Sequence, residues 1–79
     1  MLAAEPKYIV LNPKDNVAVA LDLIKPNEKL NSLGIAARQE IPPGHKIATC
    51  SINTGEKIIK YGQIVGFASR SILAGDMSI

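Results

Sequence analysis

The sequence predicts a small, mainly β domain of short strands and tight turns. Its 79 residues are enough for one domain, which we take as residues 1–79 with residues 1–6 loose. Apolar residues make up 47% of the chain and charged residues 20%, a composition that folds. Short apolar segments alternate with Gly, Pro and Asn about every ten residues, as in small all-β folds. The only aromatic residues are Tyr8, Tyr61 and Phe67, so the core must be aliphatic.

One short pattern recurs four times along the chain. It consists of Ala, then Ile four positions later, then Gly or Asn three positions after that. Lys follows two positions later in three copies, and Met in the fourth. The copies begin at Ala20, Ala37, Ala48 and Ala68. Ala and Ile at this spacing share one side of a strand or of a helix, so the spacing alone leaves both open. Gly and Asn tolerate the positive φ of tight turns, which favours two short strands joined by a corner. The Ile separations of 17, 11 and 20 residues are too irregular for a stacked solenoid.

The elements follow in order from β-branched and apolar segments bounded by turn residues. Two segments fit either a strand or short helical turns, Val17–Leu23 and Ala68–Leu73, and Asp15 or Asn16 could cap a helix at the first of them. The predicted strands are Tyr8–Leu11, Leu33–Gln39, Ile47–Ile52 and Ile58–Lys60, and the segment Ile64–Phe67 is apolar around Gly66. The predicted turns are 12–16, Pro26–Glu28, Pro42–His45, 53–56, Tyr61–Gly62 and Gly75.

Charge and cysteine content exclude several classes of protein. The net charge is +2 and the basic residues are scattered, which argues against a nucleic-acid binder with its basic patch. Cys50 is the only cysteine, so no internal disulfide forms, and its alternation with apolar neighbours predicts a core position. No apolar stretch approaches the roughly 20 residues that span a membrane, and the first residues lack a signal-peptide pattern. We therefore expect a cytoplasmic protein that does not contact membranes.

Several segments resemble the N-terminal SAF domain of the altronate/galactarate dehydratase family. They are Asp15–Ala20, Arg38–Ala48, Ile52–Gly62 and Ile64–Ala68, with the Gly-His-Lys at 44–46 and the Ile-Lys-Tyr-Gly at 59–62 as the most specific parts. The resemblance runs from about Tyr8 to Gly75. It implies a β-clip fold of short, folded-over strands. In the family a histidine-rich stretch usually follows the last glycine. Here Asp76-Met77-Ser78-Ile79 follows Gly75, so no role of those histidines is carried over.

The resemblance implies an accessory domain or small subunit of a sugar-acid hydro-lyase. Its partners would be a large dehydratase-like catalytic subunit or domain and a sugar-acid substrate, and self-association of copies stays open. A second hypothesis is a non-catalytic binding module, since SAF-type domains also occur in other settings, and a third is a sulfolactate sulfo-lyase small subunit. We do not expect the chain to be an enzyme on its own.

Four residues are candidates for chemistry. His45 could act as a base or ligand, because its ordinary pKa lies near neutrality, although a lone turn histidine is often only solvated. Lys46 and Lys60 could hold a carboxylate. Tyr61 could donate a proton or hydrogen bond. Lys46 also occupies the position after the corner that Lys29 and Lys57 fill, and Tyr61 could simply pack its ring. One His and one Cys do not make a metal site, so any divalent metal of the full enzyme would not be held by this chain alone.

Overall fold

The chain is a set of short antiparallel strands. The computed structural model describes residues 7–78, so the prediction for residues 1–6 lies outside this part. The only helical element within residues 7–78 is one 3-10 turn at Asn31–Leu33, and no helix there is long and apolar enough to cross a membrane. The strands are β1 Tyr8–Ile9, β2 Val17–Ala20, β3 Lys29–Leu30, β4 Ile35–Ala36, β5 Lys46–Ala48, β6 Lys57–Lys60, β7 Gln63–Phe67 and β8 Met77–Ser78. The mainly β prediction is confirmed.

A four-stranded sheet forms the centre and two hairpins extend from it. The central sheet has the order β1-β2-β5-β8, with every neighbouring pair antiparallel. β3 pairs with β4, and β6 pairs with β7. Val17 lies opposite Ala48, and Val19 lies opposite Lys46, which fixes the register of the two central strands.

The four copies of the repeated pattern pair with one another in twos. Ile24 and Ile41 exchange both backbone hydrogen bonds, with N···O distances of 3.0 and 2.8 Å. Ile52 and Ile72 do the same at 2.8 Å in each direction. The turn residues then bond to the partner copy's alanine: Asn27 to Ala37, Gly44 to Ala20, Gly55 to Ala68 and Gly75 to Ala48, each from N–H to carbonyl at 2.7–2.8 Å. Each pair of copies is therefore a reciprocal unit.

The hydrophobic core divides along the same lines. One cluster holds the first two copies, with Ile24, Ile41 and Ile47 completely buried. The other cluster holds the third and fourth copies, including Ile52 and Ile72. All four pattern alanines and all four isoleucines are buried, and no aromatic side chain belongs to the buried set within residues 7–78. The repeated spacing of Ala and Ile therefore marks the aliphatic side chains that the fold buries.

Each copy contains the same four-residue turn just before its last residue. The N–H of the fourth residue donates to the carbonyl of the first, at N···O distances of 2.9–3.2 Å. The third residue has positive φ in every turn, at 66, 86, 84 and 92°. This is the signature of a type II turn, which favours Gly or Asn at that position and accepts Pro before it. The four turns span residues 25–28, 42–45, 53–56 and 73–76.

Three of the four turns are closed a second time by a carboxylate at the fourth position. Glu28, Glu56 and Asp76 each accept the backbone N–H of the turn's first residue, at 3.1, 2.6 and 2.9 Å. At Glu28 this hydrogen bond from Lys25, together with one from the Lys7 ammonium 3.1 Å away, lowers the pKa of the carboxyl. The remaining turn carries His45 in that position, and its first residue is Pro42.

Five predicted elements are shorter than expected or absent. The segment Tyr8–Leu11 is strand only at Tyr8–Ile9. The segment Leu33–Gln39 contributes strand only at Ile35–Ala36, because Gly34 takes a left-handed conformation directly after the 3-10 turn. The segment Ile47–Ile52 is strand only to Ala48, beyond which the chain bends and Ile52 makes a single bridge. Ala68–Leu73 is neither strand nor helix, apart from the bridge at Ile72. Of the two options for Val17–Leu23 the strand is right, but it ends at Ala20.

Candidate functional site

The turn between β6 and β7 puts a tyrosine in a rare backbone conformation. Tyr61 and Gly62 form a two-residue hairpin loop with φ of 60 and 69°. Two successive positive φ values define a type I′ turn, for which Asn-Gly is the usual pair. A bulky L-residue there costs roughly 1–2 kcal/mol. Tyr61 nevertheless occupies it with its side chain 65% exposed, which is the kind of strain that accumulates at functional sites.

The neighbouring dipeptide Asp15-Asn16 holds this hairpin in place. The Asp15 carboxylate accepts the N–H of Tyr61 at 2.9 Å and that of Gly62 at 2.7 Å. The Asn16 side chain accepts the N–H of Ile59 and donates to the carbonyl of Lys57, both at 2.7 Å. The two side chains thus replace a strand along the free edge of β6. We call Lys60–Gly62 together with Asp15 and Asn16 the tyrosine turn.

The second candidate region is the corner Pro42–Lys46, which we call the histidine corner. His45 stands where the other three turns have their closing carboxylate. Because Pro42 has no N–H, a carboxylate at this position would have no amide to accept. The His45 side chain is exposed, and within residues 7–78 it makes no hydrogen bond, so it is not needed to close the turn. An exposed imidazole that makes no structural hydrogen bond is available to bind a ligand or to transfer a proton.

The two regions lie at opposite ends of β2. The His45 carbonyl accepts the N–H of Ala20 at 2.9 Å, whereas Asp15 and Asn16 precede Val17 at the other end. Three strand steps of about 3.3 Å separate Ala20 from Val17, so the two regions are anchored roughly 10 Å apart or more. The structure therefore brings His45 and Lys46 together, and Lys60 and Tyr61 together, but keeps the pairs separate. Lys46 and Lys60 are both half-buried within strands.

The prediction of a core position for Cys50 is wrong. The side chain is exposed and lines an open groove of about 440 Å³ between the 50–52 segment and the hairpin. The alternation of buried and exposed residues requires a continuous strand, and β5 ends at Ala48. The bend at Thr49 and Cys50 turns the thiol outward, opposite Ile59 and Phe67 on the other wall.

The described residues do not supply a metal centre. No three His, Cys, Asp or Glu side chains between residues 7 and 78 lie close enough to hold an ion. Two of the three carboxylates that close turns, Glu28 and Asp76, are also paired with cations, at 3.1 Å from Lys7 and 3.0 Å from Arg38.

Comparison with known proteins decides the family. The family model for the altronate/galactarate dehydratase SAF domain matches residues 6–77. The chain belongs to this family. It is 38% identical over 71 residues to the altronate dehydratase of Bacillus subtilis (strain 168) and 41% identical over 71 residues to that of Escherichia coli (strain K12), covering 87% of this chain in both cases. It is 34% identical over 70 residues, 86% of this chain, to the galactarate dehydratase (L-threo-forming) of Escherichia coli (strain K12).

The SAF domain is a small part of each of these relatives. The matched stretch makes up 14% of both altronate dehydratases and 13% of the galactarate dehydratase. The chain thus spans about one-seventh of the length of the curated relatives it matches.

Sequence reasoning did not identify Asp15 and Asn16 as site residues; it placed them in the turn 12–16, where either could cap a helix. Their signal is the Tyr-Gly pair itself: a tyrosine forced into a type I′ turn needs an acceptor for two consecutive N–H groups. The sequence does not say which of its seven carboxylates supplies it. Only the folded chain, in which the start of β2 lies beside the end of β6, brings the Asp15 carboxylate to the amides of Tyr61 and Gly62.

Proposed function

We propose that this chain is the accessory SAF domain, or a separate small subunit, of a sugar-acid hydro-lyase. It would handle substrate beside a large catalytic body and would not act alone. The observation that carries the proposal is the match of nearly the whole chain to about one-seventh of two altronate dehydratases. The fold supports it, because the tyrosine turn and the histidine corner each present exposed polar groups without forming a complete catalytic set. A cytoplasmic location stays a prediction of the sequence.

The proposed roles follow from the chemistry of dehydration. Removing water from a sugar acid requires a base for the proton next to the carboxylate and positive charge for the anion that develops. His45 is the candidate for proton transfer, since its imidazole is exposed and unengaged. Lys46 beside it, and Lys60 at the other region, are candidates to pair with the substrate carboxylate. Tyr61 is the candidate hydrogen-bond donor. The remaining groups would come from the large body.

A domain replacement tests the proposal. The matched 71 residues of the Escherichia coli altronate dehydratase are replaced by this chain, and dehydration of altronate is measured. We expect turnover by the chimera and little or none by the same protein lacking the segment. Equal turnover by the chimera and the deleted protein would show that the domain has no part in the reaction.

His45→Ala in this chimera tests the imidazole. General acid–base groups contribute about 10²–10⁴-fold, so a loss of at least tenfold in kcat/KM is expected, with unchanged thermal stability. Lys29→Ala serves as the matched control, because Lys29 is an exposed residue next to a turn of the first copy. If His45→Ala and Lys29→Ala have the same kcat/KM, His45 takes no part.

Tyr61→Gly separates a structural role from a functional one. Glycine relieves the positive-φ strain, so the free energy of unfolding should stay level or rise by up to about 1 kcal/mol. If Tyr61 contacts substrate, kcat/KM should nevertheless fall. Tyr61→Phe is the companion variant, as it keeps the ring and the strain and removes only the hydroxyl. Full activity in both variants would remove Tyr61 from the site.

A non-catalytic binding module is the second candidate, favoured by the incomplete catalytic set. Titration of the isolated chain with hexonates, hexarates and sulfolactate distinguishes the two. Saturable binding that is lost in His45→Ala supports substrate handling. Binding of sulfolactate alone would favour the small subunit of a sulfo-lyase, and no binding at all would favour a purely docking role.

A further inference from the structure

The β6–β7 hairpin exposes a concentration of large apolar side chains. Ile64, Val65 and Phe67 of β7 are 52, 54 and 63% exposed, and Tyr61 at the tip is 65% exposed. Ile64 and Val65 are consecutive and each is more than half exposed, so β7 presents adjoining apolar side chains to solvent. Contiguous exposed apolar surface of this kind marks an interaction site more often than isolated apolar residues do.

The outer edge of the hairpin is also open. β7 pairs only with β6 among the strands of residues 7–78. Val65 has no partner on β6, because Ile58 lies opposite Gly66 and Ile59 lies opposite Ile64. This bulge turns Val65 out of the regular alternation. β7 has no charged residue in its Gln-Ile-Val-Gly-Phe sequence, although charge is a usual means of protecting an edge strand.

The other half of the domain provides an internal comparison. Both pairs of copies enclose a hairpin: β3–β4 lies between Asn27 and Ala37, and β6–β7 lies between Gly55 and Ala68. These separations are 10 and 13 positions, so the second hairpin is longer. In the shorter hairpin the apolar residues turn inward: Leu30 is buried, and Leu33 and Ile35 pack against the core. The fold can therefore bury such a hairpin, and the exposure of β7 is not imposed by the architecture.

We propose that the exposed apolar side chains and the open edge of β7 form the surface that docks on the large catalytic body. This inference deepens the proposed function and rests on it. The body is favoured over a second copy of this chain for two reasons. About six-sevenths of each of the two altronate dehydratases lies outside the matched stretch, so the proposed function supplies a large body as the neighbour of this domain. The segment 56–70 also carries Lys57, Lys60 and Arg70 against one carboxylate, Glu56, so two copies joined there would bring like charges together.

The partner surface is accordingly an apolar patch with carboxylates at its rim. Docking through β7 would leave the tip of the hairpin, with Tyr61 held by Asp15, at the edge of the contact. Docked in this way, the tyrosine turn would lie at the entrance to the active site of the large catalytic body. Docking and substrate handling would then use adjacent parts of one hairpin.

Hydrogen exchange of the β7 amides tests this surface. The chimera with the Escherichia coli altronate dehydratase is compared with the isolated chain. We expect at least tenfold slower exchange across residues 63–67 in the chimera. The double variant Ile64→Ser, Val65→Ser should return the exchange to the isolated-chain rate. It replaces only exposed side chains, and circular dichroism verifies that the fold persists. Leu21→Ser is the matched control, since Leu21 is 51% exposed and lies outside the hairpin.

The outcomes separate the docking surface from the proposed function. Unchanged exchange in an active chimera would overturn the docking surface and leave the function standing. Slower exchange in an inactive chimera would support the docking surface and count against the function. Protection that grows with concentration in the isolated chain would mean that a second copy covers β7, and would overturn the inference.

Discussion

Gly75→Ala is expected to remove a large part of the domain's free energy of unfolding. Gly75 has φ of +92°, and an added Cβ would lie 2.1 Å from the carbonyl oxygen of Ala36. That atom belongs to the backbone of β4, so it cannot move aside as the end of a side chain could. The left-handed conformation alone costs an L-residue roughly 1–2 kcal/mol. With the clash we expect a total above about 3 kcal/mol, a large part of what stabilises a small domain.

Gly55→Ala is the matched control for this prediction. Gly55 occupies the same position of the same turn in the third copy, with φ of +84°, but a Cβ added there would meet no other atom within 4 Å. Only the conformational cost of roughly 1–2 kcal/mol applies. Urea denaturation followed by circular dichroism measures both variants. Losses within about 0.5 kcal/mol of each other would show that the approach to Ala36 does not limit the site.

The fourfold pattern made the corners and core predictable because it combines two independent requirements. Gly or Asn supplies positive φ, and Ala and Ile at fixed distances before it supply buried surface. The pattern did not reveal how copies pair, since the reciprocal bonds of Ile24 with Ile41 and Ile52 with Ile72 are tertiary contacts. It also could not distinguish Gly55 from Gly75, whose surroundings differ only through the folded chain.

Strand ends were the least predictable feature, and Cys50 shows why. Apolar alternation continues through Ile47–Ile52 in the sequence, but pairing with β2 stops at Ala48 opposite Val17. Beyond Val17 the pairing continues only through the Asn16 carbonyl, which accepts the N–H of Thr49 at 3.0 Å, while the Asn16 side chain bonds to β6. Because no paired strand continues through Cys50, its side chain is not directed to the buried face of a sheet, and the thiol points outward.

The exposed residues of the candidate site could be predicted from the sequence, but the residues that hold them in place could not. His45 and Tyr61 lie on outward-facing turns, as expected from their neighbouring glycines and prolines. The histidine at position 45 is explained only by comparing the four turns of the folded chain. In the other three, Glu28, Glu56 and Asp76 accept the N–H of the turn's first residue. Pro42 has no N–H, so a carboxylate is not needed at position 45.

Asp15→Ala is expected to release the tyrosine turn and to destabilise the domain by about 2–3 kcal/mol. The carboxylate accepts two consecutive amides, and hydrogen bonds to charged groups contribute roughly 1.5–3 kcal/mol each before allowance for partial exposure. Without it the strained φ of Tyr61 has no compensation, so the loop should sample other conformations. Faster hydrogen exchange at Tyr61 and Gly62, ahead of global unfolding, is the specific readout.

Asp22→Ala is the matched control for Asp15. Among residues 7–78 the Asp22 carboxylate accepts only the N–H of the adjacent Leu23, at 2.7 Å, so its loss should cost under about 1 kcal/mol and leave the hairpin amides unchanged. Asp15→Asn should fall between the two, because an amide has one acceptor oxygen for two N–H groups. If Asp15→Ala leaves exchange at Tyr61 and Gly62 unaltered, the hairpin keeps its own conformation and Asp15 is not the residue that positions Tyr61.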